Sequence, residues 1–463
     1  MMLFMTQQVL KMIKRRIESE LAAWKSSPDR KPLILRGARQ VGKTYTVNAF
    51  ASSFRSYIRL DLERPAERSL FGRAGSGREL WETILLSKGF VLDPRETLLF
   101  IDEIQNSPDA VRALRFLHED LPELAVIAAG SLFEVFAHRE GFSAPVGRVR
   151  NLYLSPVDFG EYLAAANPLL RRVLEDIRIG GELPPERHVL LTDAFRRFAF
   201  VGGMPEAVAR YVERGSFAEL GPIYDSIFQG YVEDAEKYAS RAKAKYLSQA
   251  VDRAPFHAGE RISYEKFGGS DFRSREMKEA LTTLEKALIV HLAAPTTSVR
   301  LPFRESGRRP PKLFFVDAGL VRFRLGLKDF NAEGGPFDDL YRGRMAEQIA
   351  AQEILAASFE RPRLHFWARE TGQAEVDFLL DVKGLAVPLE IKSGKPGRMR
   401  SLAVFMDNAD HPFAVRISDD PIRVDEAKTP AGKTFRLLSL PFYGLPRLRE
   451  LIGDFVTGGG VRS

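Results

Sequence analysis

The chain of 463 residues contains no cysteine. This excludes disulfides, thiolate metal sites and a cysteine nucleophile, and it fits a reducing, cytoplasmic setting. Histidine is scarce, at 7 residues, and none falls into a ligand-like spacing, so no zinc site is expected. No apolar run approaches the length needed to span a membrane, which argues against a membrane role. The opening "MMLFMTQQVLKMIKRRIESE" starts like a targeting segment, but Gln7, Gln8 and Lys11 interrupt it and no small-residue cleavage site follows. An amphipathic helix is expected there. No repeat or low-complexity tract stands out.

What is present is a soluble, globular composition, 45% hydrophobic and 28% charged. The length suits two or three domains, each with its own core. Lys and Arg number 68 against 61 Asp and Glu, a net charge of +7. That excess permits a polyanionic partner without demanding one. Basic residues gather at 11–16, 240–246, 304–312 and 392–400, and each cluster also reads as a solvated face.

The most informative stretch is "LILRGARQVGKTYTVNAF", residues 33–50. Gly37-Ala38-Arg39-Gln40-Val41-Gly42-Lys43-Thr44 is a complete G-x-x-x-x-G-K-T phosphate loop. The glycines let backbone N–H groups curl around phosphates, Lys43 reaches the β- and γ-phosphates, and Thr44 offers its hydroxyl to Mg²⁺. An apolar run precedes the loop and a helix-compatible run follows. A plain glycine-rich strand-to-helix turn would share the glycines but has no use for the rest. Further on, "ETLLFIDEIQN" (96–106) is an apolar run ending in two carboxylates. A buried parallel strand has this form, and its carboxyl end is where α/β sheets hold ligands. Asp102 is then placed to hold Mg²⁺, and Glu103 to polarise the water that attacks the γ-phosphate. A strand with a solvated acidic turn explains either carboxylate alone, but not both behind a phosphate loop. ATP and Mg²⁺ are the expected cofactors.

The strand-like "PLILRG", "SYIRLDL", "TLLFIDE" and "LAVIAAGS" alternate with helical segments, which predicts a parallel α/β sheet. The boundaries that follow are an ATPase core with its N-terminal helix over 1–160 and a helical lid over 161–258. For 259–330 a winged helix-turn-helix and a small helical connector both fit "SREMKEALTTLEKALIVHLAA" followed by "PKLFFVDAGL". Over 331–463, "HFWARE", "AEVDFLLDV", "AVPLEIKS" and "PFAVRIS" predict a second α/β unit.

"GARQVGKT", "LLFIDEIQ", "AAGSLFE", "PVGRVRNLYLSPVDFGEYL", "VGGMPEAV", "KLFFVDAGL" and "AEVDFLLDVKGLAVPLEIKSG" run through most of the chain. Through them the sequence resembles the bacterial and archaeal ATPases that join an AAA+ core to a C-terminal PD-(D/E)xK nuclease-like domain, the AAA_14 and DUF4143 type. The resemblance implies an α/β fold with a P-loop sheet, a helical lid, a winged-helix-like linker and the nuclease-like unit. It places Ser131 beside the phosphate loop's strand as a γ-phosphate sensor, where Asn is commoner. It makes Arg148 the candidate finger for a neighbouring subunit's ATP, with an ion pair to a surface carboxylate as the alternative. A homo-oligomeric ring follows from a shared site, and the resemblance implies that it is hexameric.

The last unit holds a second constellation. Asp377 lies in a strand-like run, and Glu390-x-Lys392 follows with both side chains on one face. Glu347 lies on a helical segment upstream. This set resembles the PD-(D/E)xK nuclease core, in which Asp377 and Glu390 would bind Mg²⁺, Glu347 would complete the coordination and Lys392 would activate water. Lys395, Arg398 and Arg400 would contact backbone phosphates beside it. Cutting and merely gripping DNA both fit. The function expected is an ATP-driven motor on duplex or branched DNA. Its rivals are a signalling switch with a non-catalytic C-terminal binding module, and an ATP-regulated nuclease that does not translocate.

Overall fold

The computed structural model describes residues 13–72, 75–131, 147–238, 241–307, 309–327, 339–393 and 399–458. The chain forms two compact units. The first is Met1–Ser155 with Thr283–Ile289 and Phe359–Arg361, and the second is the remainder. Each is described by itself.

In the first unit β1 (Leu33–Arg36), β2 (Ser56–Asp61), β3 (Thr97–Asp102), β4 (Ala125–Gly130) and β5 (Arg150–Tyr153) form one sheet in the order β2-β3-β4-β1-β5. Every pairing is parallel. β3 and β4 are buried at every position, as uninterrupted apolar runs must be when helices cover both faces of a sheet. The helix Pro108–Asp120 turns Val111, Leu114 and Leu117 inward against Ile58, Leu60 and Ile101. Pro108 occupies its first turn, and the Ser107 hydroxyl accepts from the Ala110 N–H at 3.1 Å, which starts the helix just past the β3 carboxylates. Within the described part of the N-terminal segment, Ile17–Lys25 is a helix with Ile17, Leu21 and Trp24 buried.

The second unit begins with the helices Phe159–Ala166, Pro168–Asp176, Pro185–Val201, Pro205–Arg214, Gly221–Tyr238 and Arg241–Arg253. There follow β6 (Glu260–Arg261), the helix Ser274–Lys286, whose residues from Thr283 onward count with the first unit, β7 (Val290–Thr296) and β8 (Lys312–Phe315). The helix Asp339–Ala356 leads to β9 (His365–Ala368), β10 (Glu375–Val382), β11 (Leu385–Ile391), β12 (Phe413–Ser418), β13 (Arg423–Lys428) and β14 (Thr434–Pro441). Among the described residues these make one sheet, β13-β14-β12-β11-β10-β9-β7-β8-β6. β6, β8 and β7 pair antiparallel, and β7 then joins β9 in parallel at Ala294–Thr296. β10 and β11 form a hairpin, and β11 continues in parallel to β12.

The helix Asp339–Ala356 is the spine of this unit. Gln348 both accepts from the Phe315 N–H, at 2.9 Å, and donates to its carbonyl, at 2.8 Å. Gln352 accepts from the Ala318 N–H, and the buried Glu353 carboxylate accepts from the Phe159 N–H at a helix start. Buried polar side chains so matched to backbone groups specify one arrangement of the elements. The sequence motifs "VGGMP" and "VDAGL" meet at one joint. Asp317 accepts from the Gly203 and Leu320 N–H groups, and a Cβ at Gly202 (φ 73°) would fall 2.5 Å from its carboxylate. These motifs are packing devices.

Candidate functional site

The loop between β1 and the helix Lys43–Phe50 lies at the carboxyl end of the first sheet, with β4 and β5 on either side of β1. Gly42, at the helix N-cap, has φ 94°, a left-handed backbone that a side chain would resist. Lys43 is buried, and its ammonium donates to the Gly37 and Ala38 carbonyls at 3.0 and 2.9 Å. The Thr44 hydroxyl donates to Asp102 Oδ2 at 2.9 Å, so the two predicted Mg²⁺ residues already touch. A hydroxyl and a carboxylate are the hard oxygen donors that Mg²⁺ takes, and the pair fits the ion. Burial raises the Asp102 pKa, the Thr44 hydrogen bond opposes this, Glu103 adds to it and Arg59 again opposes it.

Glu103 follows with φ 52° and ψ 44°. A left-handed non-glycine residue carries about 1–3 kcal/mol of strain, which functional sites commonly hold. Gln105 keeps it in place, donating to Glu103 Oε2 at 2.5 Å, while its own Oε1 is buried without a partner. Ser131 is buried directly after β4, whose Gly130 pairs in register with Arg36 at the end of β1. It therefore stands level with the phosphate loop.

Sequence reasoning missed three side chains here. Gln105 is the first. The second is Arg59 on β2, which donates to Asp102 Oδ2 at 2.8 Å. The third is Arg15, which is buried and donates to the Val41 carbonyl of the loop at 2.9 Å and to Ser155 at 2.7 Å. Arg15 belongs to the basic cluster 11–16, yet it braces the phosphate loop from inside. Arg59 had a signal: a charged residue in a strand that pairs with β3. Arg148 sits beside the amino end of the sheet, since Arg150 pairs with Leu33 at the start of β1. Its Nε donates to Glu119 at 3.1 Å in an exposed pair.

In the second unit the helix Asp339–Ala356, β10 and β11 bring Glu347, Asp377, Glu390 and Lys392 together. Asp377 Oδ2 accepts from the Ile391 N–H at 2.8 Å, and Lys392 donates to Glu390 Oε1 at 2.7 Å. Glu390 Oε2 is buried without a partner. Burial pushes the Glu390 and Glu347 carboxyls up, with Asp377 adding to both; Lys392 opposes the first shift and Lys312 the second. The unforeseen member is Lys312 of β8. Its ammonium lies 2.8 Å from Glu347, 2.7 Å from Glu375 and 3.5 Å from Asp377, with its side chain 4% exposed. Burial opposes its charge, but Glu347 and Asp377 more than compensate and its pKa is raised. Glu375 could have been noticed, two positions before Asp377 and so on the same strand face. Arg400 is exposed at the start of the helix Arg400–Asn408, while Lys395 and Arg398 lie outside the described residues.

Residues 29–163 match the family model of an AAA domain, 192–331 a domain of unknown function (DUF8612) and 342–441 another (DUF4143). No curated protein matches the chain. Among solved structures, the Walker-type ATPase PABY2304 of Pyrococcus abyssi is 17% identical, covering 68% of this chain and 96% of its own, with a TM-score of 0.43. The Aeropyrum pernix Orc1 protein in complex with DNA is 14% identical over 69% of this chain and 96% of its own, at 0.31. A Thermotoga maritima RuvB variant is 17% identical over 63% and 91%, at 0.27. Likeness this slight bears on neither activity nor partners.

Proposed function

We propose that the chain, whose residues 29–163 match an AAA domain and 342–441 a DUF4143 domain, hydrolyses ATP and couples hydrolysis to work on DNA. The observation that carries the ATPase reading is the convergence of Lys43, Thr44, Asp102 and Glu103 at the carboxyl end of one sheet. Lys43 trades its two loop carbonyls for the β- and γ-phosphates. Thr44 and Asp102 would hold Mg²⁺, which would supply positive charge against the phosphates. Asp102 must be ionised to do so, and Arg59 and Thr44 favour that form against burial. Glu103 orients and polarises the attacking water, with Gln105 fixing its carboxylate until nucleotide arrives. Ser131, level with the loop, is the candidate contact to the γ-phosphate.

Among the described residues Arg148 is held by an exposed pair with Glu119, a contact worth about 0–1 kcal/mol. It is thus free to serve a neighbouring subunit's ATP in a ring. Arg148→Ala should then bind ATP but hydrolyse it slowly, and mixing it with Lys43→Ala should restore some turnover. No rescue between subunits that exchange would remove the shared site.

The DNA reading is supported by the basic excess and by the β6–helix–β7–β8 segment. Its antiparallel order β6-β8-β7, with a helix between β6 and β7, favours a winged helix over a helical connector. Arg273, Arg275 and Lys278 are exposed at the amino end of that helix, where phosphates are best received. Arg400 is a further candidate contact. The loop after β7 is less available, since Val299 and Phe303 pack on the core containing Trp367 and Phe405. The test is ATPase rate with and without single-stranded, duplex and branched DNA. Stimulation by one of them is expected. An unchanged rate together with no DNA binding at low salt would leave the signalling switch as the reading.

A further inference from the structure

The arrangement of Glu347, Asp377, Glu390 and Lys392 implies a divalent cation, but the residues as folded do not fit one. The position among the carboxylates is filled by the ammonium of Lys312, held by Glu347, Glu375 and Asp377. Asp377 is engaged at both oxygens, by Lys312 and by the Ile391 N–H. Glu390 gives one oxygen to Lys392. Among the described residues no group of three carboxylate or histidine side chains is set to hold a metal ion as folded; Glu347, Glu375 and Asp377 converge on Lys312 instead.

We infer that Lys312 is the resident cation of this centre, replacing the metal and clamping β6–β8 to the C-terminal sheet. A protonated lysine cannot share so small a space with a divalent ion, because the like charges repel without intervening water. The backbone that carries Lys312 is fixed. Lys312 begins β8, which is paired on both edges by β6 and β7. The same face is fastened at further points. Arg261 of β6 pairs with Glu375, and Phe314 of β8 packs on Phe378 of β10 with ring centroids 5.4 Å apart. Phe303 packs on His365 at 4.9 Å, and the Trp367 indole donates to the Thr297 carbonyl at 3.2 Å. The carboxylates that would cut a phosphodiester here bind a neighbouring strand. The centre is a joint between strands and not a cutting site.

The inference is independent of the DNA reading and is tested on the nucleotide-free, full-length protein by Mn²⁺ titration followed by electron paramagnetic resonance. Wild type is expected to bind no Mn²⁺ that Asp377→Asn removes. Lys312→Met is expected to gain one Mn²⁺ site per chain, and adding Asp377→Asn to it should abolish the gain. Lys312→Arg, which keeps the charge, should gain none. A wild-type Mn²⁺ site lost on Asp377→Asn would overturn the inference, as would a folded Lys312→Met that gains none. If Lys312→Met does not fold, the comparison of wild type with Asp377→Asn decides alone.

Discussion

Both charged centres of this molecule set a basic side chain against carboxylates withdrawn from solvent, and they differ in how that cation is held. At the phosphate loop, Arg59 makes one contact to Asp102 and its side chain is 40% exposed. In the C-terminal unit, Lys312 contacts three carboxylates and its side chain is 4% exposed. Arg59 can turn to water when a metal arrives, at a cost near that of an ordinary surface pair, about 0–1 kcal/mol. Removing Lys312 leaves three half-buried carboxylates, 14–21% exposed, without their shared cation, a loss of up to about 3–5 kcal/mol. Similar sets of acidic residues thus have opposite uses. The exchangeable cation leaves a site open to chemistry, and the locked one turns a site into a fastening.

The largest effects expected fall on the open centre. Glu103→Gln should retain ATP and slow hydrolysis by about 10²–10⁴-fold, because an amide cannot polarise water as a carboxylate does. Lys43→Ala should lose hydrolysis altogether. Turnover at the wild-type rate by Glu103→Gln, in a steady-state phosphate-release assay, would move the catalytic carboxylate elsewhere.

Next in size is the locked cation. Lys312→Ala should destabilise the second unit by about 3–5 kcal/mol in denaturant unfolding, while a phosphate-loop variant such as Asp102→Asn leaves that transition in place. A loss under 1 kcal/mol would mean that Lys312 is a spectator.

A smaller effect concerns pH. The Glu390 carboxyl is raised from 4.5 to about 7, by burial first and Asp377 second, against the pull of Lys392. Its folded-state pKa lies above the unfolded one, so it contributes stability that is full below pH 4.5 and lost as pH rises through about 7. Thermal unfolding of wild type should therefore weaken across that window, and Glu390→Gln should flatten the trend. An unchanged slope in the variant would remove Glu390 as its source.

The smallest effect is reserved for Arg59. Arg59→Ala should shift stability by about 0–1 kcal/mol and leave Mg·ATP affinity intact or improved, measured by calorimetry. A stability loss like that of Lys312→Ala would erase the distinction between the two centres.

The chain's legibility followed the same division. The phosphate loop and the carboxylates Asp102 and Glu103 stand out in the sequence because the chemistry proposed for them demands fixed residue types at fixed local spacing. β1 to β4 were readable as apolar runs buried on both faces. β5, "RNLY", escaped because it is short and its first two residues are exposed; β13, "RVDEAK", escaped because it is a charged edge strand. Arg15 and Lys312 escaped for a deeper reason. Each stands in a basic cluster whose local pattern is that of a solvated face, and only contacts distant in sequence bury it. The pairing of "VGGMP" with "VDAGL" was likewise invisible, since the closeness of Gly202 to Asp317 is a property of the fold.

The central claim, one open centre and one closed, is tested most directly by counting Mn²⁺ bound to the wild-type chain with a non-hydrolysable ATP analogue. The account predicts one ion per chain, dependent on nucleotide, lost in Asp102→Asn and retained in Asp377→Asn. A second ion that is independent of nucleotide and lost in Asp377→Asn would contradict it.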